Sequence, residues 1–474
     1  MSFFSDYFKN IKDLRGLSCS QIAQTTGKDV SVIFSWLNNK RTPKNWECVE
    51  EVIDKLLLSE EEYNVLQDCY IRTCLGEEEY AVHQLVMECF DIMRQRSEEY
   101  KSDHKVNIHN KITELSLPET VYLSNKMEVL SVLQTCLNYY GSRDDKKLYL
   151  DFHMMHHDML MLIKMFLNSI ENCEIEEIVY LPETGNDVRT RNLNIFMGML
   201  DTMIQKNPIE IFCCEESEYE NDISENRIIS DQFVLVFNEN LSCGYLSQND
   251  DCIEYHKKMF ETKRKESKNL VSMSYEAIEV AYQYPDTVSG MSYEYMPCIG
   301  NCLTKEILDN HIYDEVPGKA QLIEGLLQCH IMNEWNWKSV FSYEGLIEFM
   351  ETGKIHNFPY GVYKNPDLSV RCELLENAIK LTQTEKFVYY LIKSDRMYNM
   401  KDYYFELYDR KRLSINIYKK EGVIERFSIE NDIMAECFSD VHNYFEKIGY
   451  IYGREKTCEI MQNVLNQYKA KIVK

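Results

Sequence analysis

The chain is 474 residues long, 45% hydrophobic and 27% charged, with a formal net charge of −25. This composition is that of a globular protein of about three domains, and it excludes wholesale disorder and a uniformly basic surface. Because no apolar run is long enough to cross a bilayer, no secretory signal is recognisable and the seventeen cysteines follow no disulfide framework, we expect a cytoplasmic protein with reduced thiols and no membrane association.

Basic residues are concentrated at the N-terminal end. Residues 1–46 contain seven Lys and Arg against three Asp, a net charge of +4, which leaves −29 for the remainder. A basic module on an acidic body can bind phosphates locally while the body repels them elsewhere. Chance clustering in a short window is the alternative.

The first 75 residues are predicted to form several short helices, two of which are joined by a sharp turn. Gly27 can adopt the positive φ that ends a helix, and Ser18 is a good N-cap for the helix before that turn. Val30, Ile33 and Leu37 recur at i, i+3 and i+7, which predicts the buried face of the following helix.

The stretch LSCSQIAQTTGKDVSVIFSWLNNKRTP resembles the helix-turn-helix of the lambda repressor/Cro (XRE) type, as in regulators of low-GC Gram-positive bacteria. The resemblance covers residues 3–70 or so and is carried, without a gap, by Leu17, Ile22, Ala23, Gly27, Ile33, Trp36, Leu37, Arg41 and Pro43. It implies a dimer that binds double-stranded DNA. The residues expected to read bases are Lys28, Asp29, Ser31, Val32, Ser35 and Asn38, and those expected to contact phosphates are Ser18, Lys40, Arg41 and Lys44. A helical hairpin that only shares this pattern is the alternative.

The rest of the chain alternates predicted strands and helices, as in an open and largely parallel sheet. The order of elements in residues 209–268 recurs in residues 387–448 and indicates a weak internal duplication. We therefore predict a mixed fold, with an all-α N-terminal helix-turn-helix domain followed by a large α/β body with a mainly helical insertion. The predicted boundaries are 1–75 for the helix-turn-helix domain, 76–115 for a helical linker that could dimerise, 116–270 for an α/β domain, 271–385 for the mainly helical region, and 386–474 for the second half of the body.

One polar cluster in the body could hold a ligand. The stretch DFHMMHHD places a group of side chains at the end of a predicted strand, where α/β sheets bind ligands; these are His153, His156, His157 and Asp158. They are weak candidates for a metal site, because no partner pair of His, Glu or Cys lies nearby. We expect neither a metal nor a cofactor, and no recognisable catalytic motif is present, so the sequence predicts a protein that is not an enzyme.

The α/β order of the body resembles the two halves of phospholipase D-type folds. The activity of that family needs a His-x-Lys-x4-Asp motif in each half. Neither YHKKMFE at 255–261 nor VHNYFEK at 441–447 has that spacing. The resemblance therefore implies a body that serves in binding or assembly.

Together these features favour a sequence-specific DNA-binding transcriptional regulator. Its body would oligomerise, as a homodimer or higher homo-oligomer, and would sense a small-molecule or peptide effector. The alternative is an enzyme or defence-type effector with an N-terminal module that recognises nucleic acid or protein. A scaffold whose N-terminal helices bind protein is a third hypothesis.

Overall fold

The architecture was obtained as a computed structural model, which divides the chain into two compact units. The first unit comprises Met1–Met87, Ala277–Arg410 and Glu436–Lys474, and the second comprises Glu88–Glu276 and Lys411–Ala435. The structure describes residues 2–101, 117–141, 143, 146–152, 163, 167, 170, 173–185, 187–203, 209–215, 225–274, 289–331, 336–355, 362–384, 387–393, 400–418 and 424–472.

The N-terminal end is all-α. Its helices are α1 (Phe3–Leu14), α2 (Cys19–Thr26), α3 (Val30–Leu37), α4 (Trp46–Leu56), α5 (Glu60–Leu75) and α6 (Glu77–Lys101).

Helices α2 and α3, with the turn between them, form a helix-turn-helix. Ser18 and Gln21 form a reciprocal capping box at the start of α2, which satisfies amide groups that a helix start leaves free. Gly27 ends α2 with a φ of 72°, as the turn required. Helices α1 to α5 bury one shared apolar core, whose largest side chains include Phe4, Phe8, Trp36, Trp46 and Tyr70.

The remaining elements alternate strands and helices. In chain order they are β1 (Thr120–Leu123), α7 (Lys126–Gly141), β2 (Lys147–Phe152), β3 (Glu174–Leu181), α8 (Val188–Met203), β4 (Ile209–Glu215), β5 (Glu225–Ile229), β6 (Val234–Asn238), β7 (Gly244–Ser247), α9 (Asp250–Glu266), β8 (Lys268–Asn269), β9 (Val271–Ser274), β10 (Ser289–Glu294), α10 (Lys305–His311), α11 (Lys319–Ile331), β11 (Asn336–Phe341), α12 (Tyr343–Thr352), α13 (Leu368–Gln383), β12 (Phe387–Leu391), β13 (Tyr403–Tyr408), β14 (Arg412–Tyr418), β15 (Ile424–Glu430), α14 (Asp432–Phe445) and α15 (Arg454–Ile472).

The second unit contains an eight-stranded mixed sheet in the order β1-β7-β6-β5-β2-β3-β4-β8. The central strands β2, β3 and β4 are parallel, and β5 runs antiparallel to β2. All residues of β3 after Glu174 are buried, as expected for a parallel strand covered on both faces. This unit also contains the antiparallel run β14-β15-β9.

The first unit repeats part of this order. Its strands β13-β10-β11-β12 have the same order and directions as β5-β2-β3-β4 of the second unit. Two antiparallel runs within the second unit also match each other: β9-β15-β14 has the same order and directions as β1-β7-β6. The repeat therefore begins earlier than the two segments in which the sequence indicated a duplication.

The predicted mixed fold class, with its all-α helix-turn-helix domain and α/β body, is confirmed. One detail differs, since the region predicted to be mainly helical contributes the parallel strands β10 and β11. Each has only six residues, too short a window for its alternation to stand out among neighbouring helices. Within the described ranges, no helix is both long and apolar enough to cross a membrane.

Candidate functional site

Four charged or polar side chains converge inside the second unit, near the carboxyl ends of two parallel strands. Asp151 is the penultimate residue of β2, and Tyr180 is the penultimate residue of β3. Arg227 of β5 lies directly opposite Asp151 in the antiparallel pairing, and Lys263 reaches the same place from α9. All four are buried, with Asp151 only 2% exposed. We call this group the Asp151 cluster.

The carboxylate of Asp151 is the centre of the cluster. Its Oδ1 accepts a hydrogen bond of 2.8 Å from the Tyr180 hydroxyl, and its Oδ2 accepts one of 2.8 Å from Arg227. The Lys263 ammonium lies 3.3 Å from the same Oδ2 and donates to the Tyr180 hydroxyl at 2.8 Å. Because buried charges are costly unless they are paired and hydrogen-bonded, these contacts fix the cluster in one geometry.

The cluster contains two buried cations and one buried carboxylate. The second carboxylate near Arg227 belongs to Glu225, 3.3 Å away, and 36% of the Glu225 side chain is exposed. Burial, with the charge of Asp151, raises the pKa of the Tyr180 hydroxyl well above its usual value, so this phenol is neutral. Among the contacts described, the buried side chains thus comprise two cations and one carboxylate, and the further carboxylate of Glu225 lies at the surface.

A histidine lies on the same helix face as Lys263. The buried residues of α9 recur at spacings of three and four, which places His256 two turns before Lys263 on the inner face. His256 is 5% exposed, and its Nε2 lies 3.0 Å from the hydroxyl of Tyr245 in β7. Its Nδ1 has no hydrogen-bond partner among the described residues.

The imidazole of His256 is neutral at physiological pH. Burial is the main cause that lowers its pKa to about 4, and the nearby charge of Arg227 acts in the same direction. A neutral imidazole can accept a proton at one nitrogen while its other nitrogen is held by a hydrogen bond. The charge of an anion bound nearby would raise this pKa toward neutrality, and His256 could then take part in acid–base chemistry.

The sequence pointed to a nearby place but not to these residues. Asp151 is the first residue of the stretch DFHMMHHD, whose four candidates His153, His156, His157 and Asp158 lie outside the described residues. In the part of the chain that is described, no group of three or more His, Cys, Asp or Glu is placed to hold a metal ion. The members of the Asp151 cluster escaped notice because they come from four distant elements; the only local signal was a charged residue inside apolar strands, as in LYLDF and NRII.

Most of the side chains predicted to read bases are occupied within the N-terminal domain. Lys28 is paired with Glu51. The carboxylate of Asp29 caps α3 by accepting from the amide of Ser31 at 2.7 Å. Ser35 donates to the carbonyl of Ser31, and Asn38 donates to the carbonyl of Phe34. These side chains thus have partners within the domain, and their predicted role in reading bases is untested.

The orientation of α3 also differs from the prediction. Val30, expected on the buried face, is 46% exposed, whereas Val32, expected to face outward, is half-buried against the core. Ile33, Trp36 and Leu37 form the buried face instead. The large indole of Trp36 sets the rotation of the helix, and this turns Val30 outward.

The residues expected to contact phosphates lie at the surface. Ser18 is engaged in the capping box of α2, and the Lys40 ammonium lies 5.1 Å from the centre of the Phe34 ring. Arg41 and Lys44 are exposed. Their predicted role in contacting phosphates remains untested by these positions.

No protein-family model and no curated protein matches the chain. Among solved structures, it is similar to phosphatidylserine synthase of Haemophilus influenzae Rd KW20, with 9% identity and a TM-score of 0.24 over 81% of this chain and 99% of that one. It is also similar to polyphosphate kinase of Porphyromonas gingivalis, with 7% identity and a TM-score of 0.23 over 68% of this chain and 49% of that one.

These comparisons correct two predictions. Both solved structures are of enzymes, so the predictions of a chain that is not an enzyme and of a DNA-binding transcription regulator of the XRE family are wrong. At these TM-scores, neither a substrate nor a reaction is carried over to this chain.

Proposed function

We propose that the chain is an enzyme that binds a phosphate-bearing substrate beside the Asp151 cluster and uses His256 as its acid–base group. The observation that carries the proposal is the buried Nδ1 of His256, which has no partner among the described residues and lies within the electrostatic reach of Arg227. A neutral imidazole with one free nitrogen beside a fixed cation is a recurrent arrangement for proton transfer to or from a bound anion.

The cationic side chains suit a phosphate group. A guanidinium presents a planar set of donors that matches phosphate oxygens, and Arg227 has one of its terminal nitrogens fixed by Asp151. Its other terminal nitrogen faces Glu225, a partly exposed carboxylate held at 3.3 Å. An incoming phosphate would compete with Glu225 for this donor, so Glu225 weakens binding in the resting protein.

The remaining members of the cluster act as positioning residues. Asp151 holds Arg227 and Lys263 in place, and Tyr180 connects Asp151 to Lys263. Lys263 also contributes positive charge to the site. Because low local dielectric strengthens such charges, two buried cations bind an anion more tightly than the same pair in water.

Binding is tested by titration calorimetry with inorganic phosphate and pyrophosphate. We expect binding by the wild-type protein and tighter binding by Glu225→Gln, which removes the competing carboxylate at the rim and keeps all four side chains of the Asp151 cluster. Glu254→Gln is the matched control, since Glu254 lies exposed on α9 and pairs only with Lys258 among the described contacts. If neither anion binds, or if both variants behave like the wild type, the proposed site is wrong.

Catalysis is tested separately with p-nitrophenyl phosphate and bis-p-nitrophenyl phosphate. Folded His256→Gln should bind phosphate as the wild type does but should lose hydrolysis of whichever probe is a substrate. Loss of binding together with activity would indicate that His256 is a binding group. Unchanged hydrolysis would exclude it as the acid–base residue.

A further inference from the structure

The first unit contains a lysine on a strand and a histidine on a helix that packs near that strand. Lys338 lies in β11, and His442 lies in α14. The rings of Tyr293 and Tyr390 contact His442, and both tyrosines are paired with Val340, two residues after Lys338 on the same face of the sheet. This register places His442 over the part of the sheet that carries Lys338. Both lie in the first unit, whereas the Asp151 cluster belongs to the second.

Lys338 lies beside apolar residues, and no counter-ion for it is found among the described residues. Its neighbours across the parallel pairing are Met291 and Val388. Its side chain is half-buried, and burial lowers the pKa of its amine. The chain contains 77 acidic residues, yet among the described contacts none of them pairs with Lys338.

The imidazole of His442 is the second polar group that lacks a partner among the described residues. It is 4% exposed, and its Nδ1 has no hydrogen-bond partner in the described parts of the chain. The rings of Tyr293 and Tyr390 lie 5.8 and 5.9 Å from the imidazole, and that of Phe445 lies 6.0 Å away. Since a buried polar group is normally paired, an unpaired imidazole nitrogen of this kind requires an explanation.

In the second unit, the strand that corresponds to β11 is β3, and a buried charged residue on β3 is paired. There, β3 contains the buried Glu176, which lies 2.5 Å from Lys147 and 3.5 Å from Arg264. The buried charge on β3 is therefore neutralised within the protein. For Lys338 on β11, no such partner is found in the described part of the chain, although the two strands occupy the same place in the repeated order.

We propose that Lys338 and His442 form a binding site for an oxyanion, the phosphate or carboxylate group of a small ligand. The ammonium of Lys338 supplies the charge. His442, neutral in its buried position, donates a hydrogen bond from Nδ1 to the same anion. The ligand thereby supplies the counter-ion and the hydrogen-bond partner that the described residues lack.

The test measures how fast Lys338 reacts with acetic anhydride in the full-length protein, by mass spectrometry of its peptide. Inorganic phosphate, acetate or chloride is added at one ionic strength. A bound oxyanion covers the amine and raises its pKa, so phosphate, acetate or both should slow acetylation of Lys338 several-fold relative to chloride. Lys305, which is exposed at the start of α10, is the internal control and should react equally in all three salts.

The pattern of protection identifies the ligand class. Protection by phosphate alone indicates a phosphate-bearing ligand, protection by acetate alone a carboxylate, and protection by both a general oxyanion site. No protection by either anion overturns the proposal. Folded His442→Phe should lose the protection; if it keeps full protection, His442 has no part in the site.

Discussion

The indole of Trp46 lies so close to Gly449 that a Cβ atom at Gly449 would stand 2.6 Å from Cδ1 of the indole. The amide of Trp46 also donates to the carbonyl of Lys447 at 2.9 Å. One residue further on, the ring of Tyr450 lies 5.7 Å from that of His83. The helix-turn-helix domain is thus packed against the C-terminal part of the first unit through the first residue of α4.

Gly449→Ala should destabilise this packing. The φ of 82° at Gly449 is unfavourable for a residue with a side chain, and the added methyl group would overlap Trp46. The two effects together should lower the free energy of unfolding by about 2–4 kcal/mol, measured by urea denaturation with tryptophan fluorescence. Gly453→Ala is the control, because its Cβ would meet only the flexible end of Glu446. An equal loss in both variants would contradict this account.

An ion pair at the same contact should also contribute measurably. Lys393 lies 2.6 Å from Glu50, and both side chains are largely buried. A double-mutant cycle with Lys393→Met and Glu50→Gln should give a coupling free energy of about 1 kcal/mol or more. The exposed pair Lys456–Glu459 should give at most about 0.5 kcal/mol. If the two cycles give the same coupling, burial at this contact does not strengthen the ion pair.

The Asp151 cluster should be sensitive to the loss of its single buried carboxylate. Asp151→Asn removes the buried carboxylate that Arg227 and Lys263 share, so we expect a loss of about 3–5 kcal/mol in the free energy of unfolding. Adding Lys263→Met to Asp151→Asn removes one of the two cations that have lost their shared carboxylate. This second substitution should restore part of the lost free energy of unfolding. A double variant less stable than Asp151→Asn alone would show that Lys263 contributes through packing and not through charge.

Local patterns in the sequence were sufficient to predict much of the fold. The capping residue Ser18 and the turn residue Gly27 have the roles expected of them. Strands β6 and β12 are apolar runs without charged residues, and buried strands of this kind need little beyond local composition to be recognised. The rotation of α3 was not predictable from spacing alone, since the size of Trp36 decides which face is buried.

The candidate site depends on long-range pairing and was therefore beyond the reach of local patterns. Asp151 and Arg227 are 76 residues apart and meet only because β2 and β5 are neighbours in the sheet. Lys338 has an unremarkable local sequence, and only its burial opposite Met291 and Val388 makes it unusual. The helix-turn-helix pattern, by contrast, was easily recognised but indicated a function that the comparisons do not support.

Buried His442 should make the protein less stable in mild acid. Burial, with the charge of Lys338, lowers the pKa of His442 from its ordinary 6.5 to about 3. Between these two values the unfolded chain binds the proton and the folded chain does not, so stability falls as pH drops below 6.5 and stops falling below about 3. At pH 5 the loss should be about 2 kcal/mol relative to pH 8. Urea denaturation of His442→Phe at both pH values should show a pH-dependent loss smaller by that amount; an equal loss in variant and wild type would mean that His442 is not the group responsible.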